Sequence, residues 1–196
     1  MSVKAKWLRI EEHTNALNYL VMLSQFVLKI NEDPFYWKWI MITLHGAMYG
    51  FAVSMIRGTD VESVIINTKN GERLISFNEA LRRCQNKSWM QYALLNETLI
   101  LSESQKKSIR KMKDLFRNEF IHFKPKGWSI ELHLFIEITL DCLDVIRFLG
   151  IQTYSGYRYN LSKQRKVKSL IFQTKKEIKK SVLYKEVNIL KRLSDD

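Results

Sequence analysis

Residues 35–56 are the longest apolar stretch in the chain, and their burial constrains every other segment. The run is long enough to approach a membrane span. Yet Lys38 and His45 lie inside it, with Thr43 and Ser54, and charged groups are costly in lipid. A central helix covered by its neighbours on most sides fits better. Asn31-Glu32-Asp33-Pro34 precedes it, with Asp33 as the expected N-cap and proline at the helix start. Gly46 and Gly50, four apart, read as an accommodation to close packing.

The partners of such a helix are legible as stripes. Over residues 11–31, Ala16, Leu20, Leu23, Val27 and Ile30 recur at steps of four and three. Residues 102–122 carry Ile109, Met112, Phe116 and Phe120 on one stripe, with Lys106, Lys107, Arg110, Lys111 and Lys113 off it. Residues 129–149 carry Leu132, Phe135, Thr139, Leu143, Ile146 and Leu149. A last helix is predicted over 161–193, with Val167, Ile171, Thr174, Ile178 and Val182 on its apolar face. Ser76-Phe77-Asn78-Glu79 and Ser102-Glu103-Ser104-Gln105 have the pattern of capping boxes, and Ser129 is the predicted cap of the third stripe. A short helix follows Ser76 to about residue 86, with another turn or two near 89–95. Only 64–68 and 73–77 look β-prone, and Asn70-Gly71 lies between them, which predicts a hairpin. With 7 Gly and 2 Pro in 196 residues, a turn-rich all-β fold is excluded. The expectation is all-α: a bundle of four to five helices over 1–155, a hairpin inserted at about 62–77, and a long basic helical extension over 156–196.

Charge narrows the function. The net charge is +12, and residues 158–196 hold 12 Lys/Arg against 4 Asp/Glu, so +8 of it lies there. A basic surface of this kind attracts nucleic acid or acidic headgroups. The duller alternative is a solvated basic helix. Cys84 and Cys142 are far apart, with no CxxC, which fits a reducing cytoplasm. The N-terminus lacks the apolar core of a signal peptide.

The four histidines have no spacing suited to a shared metal, and no phosphate-loop, dinucleotide or serine-hydrolase motif occurs. No metal and no cofactor are therefore expected. His45, inside the apolar helix, reads as a core histidine. What remains is Arg117 and His122, either side of Asn118-Glu119-Phe120-Ile121 and just before a break at 123–127. A guanidinium can grip a phosphate with two parallel hydrogen bonds, and an imidazole can move protons near neutral pH. Five positions on a regular helix separate the two by about 140°. They converge only if the helix ends near His122 or a second subunit contributes. The plainer reading is two cations that complement a helix C-terminus.

The Arg117-Asn118-x-x-x-His122 spacing, in a helix-break-helix after two earlier helices, resembles the motif of the HEPN superfamily. That resemblance implies a helical bundle, homodimerisation, and metal-independent RNA cleavage in toxin or defence systems, with an antitoxin or regulatory protein as partner. It implies catalytic roles for Arg117, Asn118 and His122. Lys124 stands where some family toxins carry a modifiable tyrosine, which puts that mode of control in doubt. RNA backbone contacts are expected from Lys124 and Lys126 after the motif, and from Lys166, Lys175 and Lys179 along the last helix. The alternative is a non-catalytic helical module that binds RNA or a protein; a membrane-surface role is less favoured.

Overall fold

The computed structural model describes residues 6–95, 97–122, 127–156 and 158–195. Helix α1 (Glu12–Val27) and helix α2 (Tyr36–Arg57) form the first pair. Leu20, Leu23, Ile40, Met41, Leu44, Met48 and Phe51 are fully buried. By length and composition α2 could cross a membrane, but two thirds of its most apolar window is buried within the protein. It is the central core helix. A Cβ on Gly50 would lie 2.8 Å from the Ala16 Cβ and 3.2 Å from the Glu12 carbonyl oxygen, and one on Gly46 would meet the Tyr19 ring. The pairings of 50 with 16 and 46 with 19 run antiparallel. The two glycines are where α1 lies closest to α2. Asp33 does not cap α2 directly. Its Oδ1 accepts from the Phe35 N–H at 2.8 Å, shaping the turn that leads into the helix.

Strands β1 (Ile65–Thr68) and β2 (Gly71–Leu74) pair antiparallel, Ile65 opposite Leu74 and Thr68 opposite Gly71. Lys69 and Asn70 make the turn, and Gly71 takes the positive φ, +101°, at the start of β2. The ribbon is anchored at its base by buried Val64, Ile75 and Phe77 and by the Tyr49 hydroxyl, which donates to the Ile75 carbonyl. Helices α3 (Phe77–Cys84) and α4 (Lys87–Tyr92) follow, capped by Ser76 and Asn86. At Ser76 only half of the expected box forms: its Oγ accepts from the Glu79 N–H, while the Glu79 carboxylate pairs with Arg82 and Arg83. At Ser102 both halves form.

Helix α5 (Glu103–Arg110) runs into a π-helical stretch, Lys111–Arg117, and then α6 (Asn118–Ile121). Helix α7 (His133–Thr153) begins four residues after Ser129, the expected cap, with Leu132 at its N-cap and no side-chain cap bond. It also extends past residue 149. Two faces of α7 are buried, since Ile136, Ile138, Cys142 and Val145 join the predicted stripe in the core, while Leu132 stays exposed.

The single helix expected over 161–193 is two: α8 (Leu161–Lys180) and α9 (Val182–Asp195). Ser181 is buried in extended backbone (φ −61°, ψ 152°), and its Oγ donates to the Ile178 carbonyl at 2.6 Å. The break turns Val182 out to solvent, although the uninterrupted stripe would bury it. Helix α8 packs on α7 and α1, and Val167, Ile171 and Ile178 belong to the same core as the first helices. Glu12 ties this arrangement together. It pairs with Arg57 at 2.5 Å and with Arg158 at 3.0 Å. Burial raises its carboxyl, but the Arg57 hydrogen bond and the two guanidinium charges outweigh that and hold it below the usual range.

The expectation of a mainly helical protein with one small hairpin holds. Cys84 and Cys142 are buried free thiols, and burial pushes both up.

Candidate functional site

The Arg117 segment is held from below by aromatic packing. Phe116 contacts Phe135 with ring centroids 4.8 Å apart, Phe135 stacks on Trp37 at 5.4 Å, and Phe120 meets Trp128 at 5.5 Å. These contacts pin the helix to α2 and α7 and bring the chain after the break back onto it. The π-helical stretch ends at Arg117. Such turns are rare overall and are frequent at functional sites.

Arg117 and Asn118 come together. The Arg117 Nη1 donates to Asn118 Oδ1 at 3.0 Å, and both side chains are half-buried. The Arg117 Nε is buried without a hydrogen-bond partner. Leaving a buried donor unsatisfied costs about 1–3 kcal/mol, more on a charged group.

His122 is placed differently. Helix α6 ends at Ile121, and His122 is its C-cap, with φ −105° and ψ 56° and its N–H bonded to the Asn118 carbonyl at 2.8 Å. Its side chain is exposed. The helix therefore does end at this histidine. But the backbone stays helical from Arg117 through Ile121, so the two side chains keep the divergence of about 140°. Among the described residues no hydrogen bond or ion pair joins them. A single chain does not bring Arg117 and His122 to one point.

The imidazole that does sit in the field of Arg117 is His45, from α2. It stacks on Phe77 with ring centroids 4.6 Å apart. Burial, then the charges of Arg117 and Lys113, push its pKa down to about 4. His45 is thus neutral near pH 7. It was legible in the sequence only as a core histidine. Nothing local signals its approach to a residue 72 positions later; that is a product of α2 packing on the π-helical stretch.

A second feature escaped the sequence reading. Lys106, Arg110, Lys113 and Arg117 are spaced i, i+4, i+7 and i+11, which an uninterrupted α-helix would place on one side. Their spacing was the available signal. Lys106, Arg110 and Lys113 line a cleft of about 290 Å³ against α3.

The remaining expected contacts separate. Lys124 and Lys126 lie outside the described residues. Lys175 pairs with Asp144 at 2.5 Å and is half-buried, while Lys166 and Lys179 are exposed. At 100° per residue, Lys179 is about 40° from Lys175, whereas Lys166 is on the opposite side of α8. These three lysines do not form one rail.

Among the described residues, no group of three or more His, Cys, Asp or Glu side chains could hold a metal ion. In comparisons with known proteins, no family, no curated protein and no solved structure matches this chain.

Proposed function

We propose that the chain is an RNA-acting protein of the HEPN type, a metal-independent endoribonuclease that works as a homodimer. The observation that carries this reading is the Arg117–Asn118 pair: a half-buried guanidinium, oriented by an amide, with a buried Nε lacking a partner. That donor set suits a phosphate. The ribose 2′-oxygen attacks the adjacent phosphorus while the bond to the 5′-oxygen breaks, leaving a 2′,3′-cyclic phosphate and a 5′-hydroxyl. His122 takes the 2′-hydroxyl proton or returns one to the leaving 5′-oxygen. Arg117 stabilises the charge that builds on the phosphoryl oxygens. Because Arg117 and His122 diverge within one chain, the working site combines Arg117 of one copy with His122 of another.

The test is cleavage of single-stranded RNA in EDTA by wild type, His122→Ala and Arg117→Ala. Cleavage by wild type, with a loss of 100-fold or more in each variant, is the expected result; general acid–base catalysis alone contributes about 10²–10⁴-fold. Equal cleavage by all three, or by none, overturns the assignment.

One observation favours a second reading, a non-catalytic RNA-binding module: His122 is exposed at the helix C-cap, and among the described residues no hydrogen bond joins it to Arg117. RNA binding by wild type with no cleavage product is its signature.

A further inference from the structure

The cleft between α3 and α5 lies beside the Arg117 segment and belongs to no part of the motif. Its wall on the α5 side is Lys106, Arg110 and Lys113, with Asp114; its wall on the α3 side presents the amides of Asn78 and Gln85. Leu81, Leu101 and Ile109 give it an apolar floor. Three cations thus face one carboxylate. Part of that charge is already used, since Lys113 pairs with Asp114 at 2.6 Å and Lys106 with Glu103 at 2.7 Å. Arg110 is exposed and makes no ion pair among the described residues. Lys113 links the cleft to the motif, because it and Arg117 both act on the same imidazole, His45.

We propose that this cleft is a backbone track for single-stranded RNA, with Arg110 as its principal phosphate contact and Arg117 at its end. The proposal rests on the reading that the chain acts on RNA, and it assigns where the strand approaches. The geometry favours one strand over a duplex. The cleft is small, about 290 Å³, and its mixture of cations, amides and apolar residues suits phosphates on one side with ribose or base faces on the other. From Lys106 to Arg117 is eleven residues, part α-helical and part π-helical, and so somewhat shorter than the roughly 16 Å that eleven α-helical residues would span. At about 3.4 Å per nucleotide along a stacked strand, that distance covers several phosphates.

The experiment uses the full chain carrying His122→Ala, which keeps the RNA intact, and a 5′-labelled single-stranded 12-nucleotide RNA followed by fluorescence anisotropy at several salt concentrations. Arg110→Gln is expected to reduce the slope of log affinity against log salt by about 0.7, the single-strand value for one phosphate contact. The double reversal Lys106→Glu with Arg110→Glu is expected to weaken binding by about tenfold or more at low salt. Lys107→Glu, an exposed cation of the same helix that does not line the cleft, is the control for charge alone. The track is overturned if Arg110→Gln leaves the slope unchanged, or if Lys107→Glu weakens binding as much as the double reversal. Cleavage by wild type, with binding indifferent to Arg110, overturns the track and leaves the nuclease reading standing. Arg110-dependent binding without cleavage by wild type does the reverse. An absence of any RNA binding overturns both.

Discussion

His45 shows how one side chain can be fixed by groups far from it in sequence. Its imidazole is stacked on Phe77, and burial with the Arg117 and Lys113 charges lowers its pKa from 6.5 to about 4. Unfolding removes all of these influences. As pH falls below about 6.5, the unfolded chain binds this proton before the folded one does. The contribution of His45 is therefore complete above pH 6.5 and is lost progressively as pH falls towards about 4. We expect the urea midpoint of wild type to fall more steeply over that interval than that of His45→Phe, which keeps the aromatic stack but cannot take a proton. Parallel profiles would show that the imidazole is not held neutral in the folded protein. Arg117 is the reciprocal case: its charge acts on His45, its Nη1 is committed to Asn118, and its Nε is buried without a hydrogen-bond partner.

At the scale of elements, two contacts decide more than their size suggests. The first is the approach of α1 to α2 at Gly50, where a methyl group would lie 2.8 Å from the Ala16 Cβ and 3.2 Å from the Glu12 carbonyl oxygen. Neither neighbour can rotate away, one being a methyl on a packed helix and the other backbone. Overpacking of this kind costs about 1–3 kcal/mol. It outweighs the better helix propensity of alanine, about 1 kcal/mol. Gly50→Ala should therefore lower the melting temperature by several degrees, at about 2–4 °C per kcal/mol for a chain of this size. Gly46→Ala should cost less, because the obstructing atoms belong to the Tyr19 ring. An unchanged or raised melting temperature in Gly50→Ala would contradict the close packing. The second contact is the break at Ser181. It satisfies backbone groups that the two helix ends leave free, since Ser181 Oγ donates to the Ile178 carbonyl and accepts from the Tyr184 N–H at 3.2 Å. The basic C-terminal region is in this way folded onto α7 instead of projecting as one rod.

For the whole molecule, the decisive question is whether the Arg117 and His122 groups meet across a dimer. If each working site takes Arg117 from one copy and His122 from the other, a heterodimer of Arg117→Ala and His122→Ala retains one intact site. Unfolding and refolding an equal mixture of the two inactive variants should then restore a quarter or so of wild-type cleavage. Light scattering before and after mixing should report dimers. A mixture as inactive as its components, with dimers exchanged, would exclude a shared site. Removal of divalent ions should leave wild-type cleavage unchanged on the same reading, which the EDTA assay measures directly.

Much of the architecture could be read from residue types and spacing. The buried stripes Ala16/Leu20/Leu23/Val27/Ile30 and Phe135/Thr139/Leu143/Ile146/Leu149 follow from helical periodicity alone, because burial on one face imposes that period. Asn70-Gly71 and Ser102 announced a turn and a helix start through purely local chemistry. The π-helical turn, the Ser181 break and the delayed start of α7 carried no such local signal; they depend on what the segment packs against. The same division runs through the candidate site. The sequence by itself determined that Arg117, Asn118 and His122 lie at a helix end, since the break after His122 is local. Only the tertiary structure decided that Arg117 bonds Asn118 and lies within electrostatic reach of His45 while His122 faces solvent. Which side chains converge depends on the register of α2 against the Arg117 helix, and that register is set by the whole core.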